Sequence, residues 1–152
     1  MRKTAFLIAI ASMLLLWNVT LASATEGTAP EAEAMLYSAI ASLKEDEAAA
    51  LEEFHTFHDR DLYILCFRTT DGKITSHINP DFIDKDVRTL NGPDGASLGQ
   101  RFYDVAKAVT EEGEITTIDY KFPRPGSTAP VPKQMYLTRV RSQGCGVSYY
   151  VH

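Results

Sequence analysis

Residues 61–80 read DLYILCFRTTDGKITSHINP. Apolar side chains fill both parities of 62–67, with Tyr63, Leu65 and Phe67 on one side and Leu62, Ile64 and Cys66 on the other. A strand covered on both faces belongs at the centre of a sheet. Asp71-Gly72, between Thr70 and Lys73, suits a two-residue hairpin turn, because both central residues of such a turn need positive φ. The returning strand is 74–78, and Asn79-Pro80 ends it because proline cannot donate to the ladder.

On the N-terminal side, Ala32, Met35, Leu36, Ala39, Ile40 and Leu43 recur at helical spacing and form one apolar face. Pro30 suits the first turn. Lys44-Glu45-Asp46-Glu47 interrupts the pattern, and Ala48, Leu51 and Phe54 resume it. The residues allow two helices or one bent helix ending near His55, with the charged run as a solvated elbow.

On the C-terminal side, 81–95 is a polar loop with room for one helical turn. Ser97 is placed to cap a helix that carries Leu98, Phe102, Val105 and Val109 inward and is stopped by Gly113. Strands follow at 115–122, 133–141 and 145–151, separated by a Pro/Gly loop at 123–132 and a turn at 142–144. The order predicts an α+β domain, a five-stranded antiparallel sheet with a long N-terminal helix.

The chain opens MRK, runs apolar from Phe6 to Trp17 and reaches Ala22-Ser23-Ala24. That is the pattern of a secretory signal peptide, residues 1–24. Its apolar run would span only about 18 Å as a helix, short of the roughly 30 Å of a bilayer core, although an uncleaved anchor is the competing reading. Residues 25–29 form a polar leader, and 30–152 a single domain. Removing the signal takes away Arg2 and Lys3 and leaves 13 basic against 20 acidic residues. Such an acidic balance disfavours nucleic acid and anionic membrane surfaces as partners. A periplasmic or secreted location is expected, with no stable membrane insertion after cleavage.

Cys66 and Cys145 are the two cysteines of a chain bound for an oxidising space, and one disulfide is the default. Closing a loop of about 80 residues would contribute at most about 4.5 kcal/mol by chain entropy. Two buried thiols or a redox pair are the alternatives, the latter without a CxxC motif. A disulfide requires Cα atoms within about 7 Å, which would set the first and last strands side by side.

That order, with DLYILCFRTTDGKITSHINP, DKDVRTLNGPDG at 84–95, IDYKFPRPGSTAPVPK at 118–133 and CGVSYY at 145–150, resembles the Cache family of PAS-like extracytoplasmic sensor domains, specifically single Cache domains of the second type. The resemblance runs from Pro30 to the C-terminus. It implies a pocket between the sheet and the loop after its second strand, holding a small metabolite such as a short carboxylate. Most members are joined to a membrane helix and a signalling module. Here the sequence ends with the fifth strand, so a stand-alone binding or accessory module is expected, with a membrane-bound receptor or signalling protein as a possible partner class.

An anionic ligand needs a cationic donor, hydroxyl donors and apolar walls. Lys133 is the candidate charge partner, Tyr120 and Phe122 the candidate walls, and Tyr136 and His77 the candidate hydrogen-bond donors; Arg101 is a further cation within reach. The resemblance implies roles for Tyr120, Lys133 and Tyr136. Strict alternation, however, puts Lys133 and Tyr136 on opposite faces unless a bulge intervenes. His55 and His58 of HTFHDRD have metal-compatible spacing but no third ligand motif. There is no nucleophile elbow and no haem-attachment motif. A binding domain without cofactor or catalysis is therefore expected, and a ligand-free protein-interaction module is the alternative.

Overall fold

A computed structural model of the chain describes residues 25–151; the signal peptide expected at 1–24 lies outside them. Among the described residues no helix is long and apolar enough to cross a membrane.

Helix α1 (Ala29–Glu45) buries the six residues of the predicted apolar face and no others. The charged elbow divides the helical region in two. Asp46 adopts an extended conformation (φ −146°, ψ 100°), ends α1, and accepts a hydrogen bond from Ala49 N at 3.1 Å to cap α2 (Glu47–Phe54). The leader is fastened to the domain. Gly27 N donates to Asp61 Oδ1 at 2.6 Å, and Arg124 Nε donates to Glu26 Oε1 at 2.5 Å.

The strands are β1 (His58–Asp59), β2 (Leu62–Arg68), β3 (Ile74–Ser76), β4 (Thr116–Pro123), β5 (Pro130–Val140) and β6 (Gln143–Tyr150). All pairings are antiparallel, in the order β1-β2-β6-β5-β4, with β3 also on β2. The five expected strands are present, and two-residue β1 is an addition at the edge. The first long strand and the last are neighbours, and Cys66 pairs directly with Cys145. Their Cα atoms are 4.2 Å apart and the sulfurs are joined in a disulfide. This settles the choice left open by the two cysteines.

Alternation in β2 feeds two cores. Leu62, Ile64 and Cys66 pack beneath α1 with Val147 and Tyr149, whereas Leu65 and Phe67 pack on the other face with Met135, Leu137 and Phe102. Helix α3 (Leu98–Ala108) covers that second face. Ser97 occupies its N-cap position but makes no side-chain capping bond, and the helix ends well before Gly113.

Two turns differ from expectation. The β2–β3 loop spans 69–72, closed by Arg68 N to Lys73 O at 2.9 Å. Only Gly72 has positive φ (80°), while Asp71 instead receives the Arg68 guanidinium at 2.9 Å. The extra loop residues let that ion pair form, so the predicted two-residue turn is not needed. The β5–β6 turn is the tighter one. Val140 pairs with Gln143, leaving Arg141 and Ser142 as the connection, with Arg141 at φ 51°. Arg141 is held there by donating to the carbonyls of Leu43 (2.9 Å) and Lys44 (3.0 Å) at the end of α1.

Candidate ligand-binding site

The face of β6 that looks toward α3 presents Gly144, Gly146 and Ser148, while Cys145, Val147 and Tyr149 point to α1. Small residues on a central strand leave a hollow above the middle of the sheet. Beside Gly144 the space is filled, since an added Cβ would lie 2.7 Å from both Ala106 Cβ and Phe67 Cε2. Beyond Gly146 it opens into a cavity of about 400 Å³. This lies in the size range of ligand pockets.

The floor comes from Tyr63 and Leu65 of β2, Gly146 and Ser148 of β6, and Met135 of β5. The connection from β3 to α3 forms the roof through Phe82, Thr89, Leu90 and Asn91, joined by Leu98 and Phe102 of α3. That roof is tied down by its own turns. Residues Pro80–Phe82 and Val87–Thr89 form single 3₁₀ turns, capped by the side chains of Asn79 and Asp86. Val87 N bonds Gly72 O at 2.8 Å, and Ile74 N bonds Lys85 O at 2.8 Å.

Lys133 is 7 % exposed. Among the described residues its ammonium forms no hydrogen bond and no ion pair. Its neighbours are the rings of Tyr150, 4.4 Å to the centroid, and Phe122, 5.7 Å. Burial pulls its pKa down to about 8, against the smaller opposing influence of Asp61 and Glu26. It stands with Tyr63 and Phe122 at the partition between this cavity and a more open hollow of about 450 Å³ that contains Asp61, Arg124 and Tyr150. Asp61 Oδ2 in that hollow is buried without a hydrogen-bond partner.

Tyr120 donates to Ser148 Oγ at 2.8 Å and stacks edge-on to Phe102, and burial raises its pKa. His77 sits between the rings of Tyr63 (4.9 Å) and Phe82 (4.7 Å). Its Nδ1 accepts from Asn79 N at 2.9 Å, so the neutral ring carries its proton on Nε2. Burial lowers its pKa and favours that neutral form.

No family model and no curated protein matches this sequence. Solved structures do. A periplasmic sensor domain of a chemotaxis protein is 26% identical, with 80% of this chain and 88% of that one covered at a TM-score of 0.58. A methyl-accepting chemotaxis protein from Vibrio parahaemolyticus is 18% identical over 80% of this chain and 86% of that one, at 0.62. A Cache chemosensory domain, solved to explain carboxylic acid recognition, is 19% identical over 79% and 86%, at 0.57. The chain carries a Cache-like fold, the fold of these sensor domains.

Within this Cache-like domain Tyr120, Phe122, Lys133 and His77 all line the central cavity. Two other candidates do not. Tyr136 faces α1, its ring 5.3 Å from that of Tyr149, because β5 runs without a bulge from Lys133 and alternation turns it away. Arg101 lies on the outer side of α3, donates to Asp119 O at 2.7 Å, and borders a separate surface hollow with Asp94 and Lys121. Tyr63 and Ser148 were not singled out from the sequence, although each shares its strand parity with a residue of the pocket face. The roof residues Leu90 and Asn91 carry no such signal. His55 and His58 diverge, His55 Nε2 meeting Thr75 O at 2.9 Å while His58 stands exposed in β1. Among the described residues no group of three or more His, Cys, Asp or Glu is placed to hold a metal.

Proposed function

We propose that this domain binds a small carboxylate in the extracytoplasmic space, as the recognition module of a sensory system. The observation that carries this reading is Lys133, a buried ammonium with aromatic neighbours and no anionic partner in contact. Burying a charge without a paired counter-charge is unfavourable unless a ligand supplies one. A carboxylate at the partition would meet the Lys133 ammonium, with Tyr63, the Tyr120–Ser148 pair and His77 within the same cavity wall. The chemosensory relative solved with carboxylic acid recognition in view supports the same ligand class. The filled hollow expected of a ligand-free interaction module is not what lies above β6.

A thermal-shift screen of short carboxylates, run on protein unfolded and refolded to strip carried-over ligand, tests the proposal. At a hundred times Kd a ligand adds about 2.7 kcal/mol. Flat melting curves across the panel would contradict it.

A further inference from the structure

Resting on that carboxylate reading, we infer that the ligand is an amphipathic monocarboxylate whose apolar body, alkyl or aryl, extends well beyond two carbons. Three features of the cavity lead there. Among the described residues Lys133 is the one cationic side chain in its lining, since burial favours the neutral form of His77. A second carboxylate would therefore have no counter-charge and would be desolvated for nothing. Among the described residues no Asp or Glu lines the cavity, so the ammonium of an amino acid would also go unpaired.

The rest of the cavity is apolar and large. Leu65, Leu90, Leu98, Phe102 and Met135 all line it and belong to the apolar cluster that also holds Ala106 of α3. The volume of about 400 Å³ equals roughly a dozen waters of liquid. A two-carbon acid displaces only two or three of them and leaves most of this apolar lining without contacts. An alkyl or phenyl group gains from burial there, by about fourfold in affinity for each methylene.

Calorimetric titration of the full chain with acetate, butyrate, hexanoate, phenylacetate, succinate and phenylalanine tests this, alongside the variants Lys133→Met and Leu90→Ser. The expected result is a Kd that falls about fourfold per methylene from butyrate to hexanoate, with phenylacetate comparable to hexanoate. Succinate and phenylalanine bind at least about tenfold more weakly, a difference of about 1.4 kcal/mol. Leu90→Ser weakens hexanoate by a larger factor than acetate, and Lys133→Met removes binding of every acid. Acetate or succinate binding as tightly as hexanoate, with binding lost in Lys133→Met, overturns the inference and leaves the carboxylate reading standing. Binding of no acid, or binding that survives Lys133→Met, overturns that reading and this inference with it.

Discussion

The Lys133 ammonium stands 4.4 Å from the centre of the Tyr150 ring, on the last strand, with no carboxylate in contact. Cation–π attraction offsets part of its desolvation, worth about 2 kcal/mol when both groups are dry. The remainder is a standing cost to the unliganded fold. In the folded chain the Lys133 pKa is about 8, against about 10.5 for an ordinary lysine. That difference corresponds to about 3 kcal/mol at neutral pH.

Replacing Lys133 with methionine therefore stabilises the unliganded protein by roughly 1–3 kcal/mol at pH 7, while abolishing carboxylate binding. Urea unfolding with and without ligand measures both effects. Loss of stability in the variant would mean that the ammonium has an anionic partner in the folded protein.

The same residue sets the pH dependence. Its folded pKa of about 8 lies below the unfolded value, so from about pH 8 to 10.5 the unfolded chain binds the more protons. Stability of the unliganded protein consequently rises with pH across that window, as far as Lys133 governs it. Carboxylate binding runs the other way. It needs the ammonium, so affinity is level below about pH 8 and weakens above it, by up to about tenfold per pH unit until the liganded pKa is passed. Asp61, Glu26 and Tyr150 surround the group and modulate the slope. Calorimetry in buffers of different ionisation enthalpy, from pH 6 to 10, reads the proton taken up on binding.

Two tyrosines of neighbouring strands separate pocket from core. Tyr120→Phe removes the hydroxyl bonded to Ser148 Oγ and weakens ligand binding by roughly three- to tenfold, the range of a single net hydrogen bond. Tyr136→Phe, on the α1 face beside Tyr149, leaves ligand affinity unchanged. Equal effects of the two substitutions on Kd would place the ligand elsewhere.

Gly144→Ala pushes a methyl group into Phe67 and Ala106, both fully buried. A fully buried ring between sheet and helix has nowhere to swing. The substitution destabilises the fold by roughly 1–3 kcal/mol, seen as a lower melting temperature by circular dichroism. An unchanged melting temperature would mean that α3 sits further from the sheet.

Most of the scaffold was legible because burial acts on simple periods. The apolar positions from Ala32 to Leu43 recur at helical spacing and all are buried. The double parity of β2 marks a central strand, and Cys66 and Cys145 pin its register against β6. Turns were less legible. Arg141 takes a left-handed conformation that its side-chain type does not announce, because it reaches the carbonyls ending α1. In the site, alternation allowed only one of Lys133 and Tyr136 to face the pocket without a bulge, and the unbroken register of β5 decides for Lys133, whereas Arg101 looked available only while its Asp119 acceptor was unknown. The resemblance pointed to the loop after the second strand as the roof, but not to which of its residues face the cavity, because that is set by long-range bonds such as Val87 N to Gly72 O.

The most direct test of the account is the titration of the Lys133 side chain itself, by heteronuclear NMR of protein labelled at lysine. A pKa near 8 is expected in the unliganded domain, with a marked rise when a bound carboxylate supplies the missing counter-charge. An ordinary lysine pKa that does not move on adding carboxylate would contradict it.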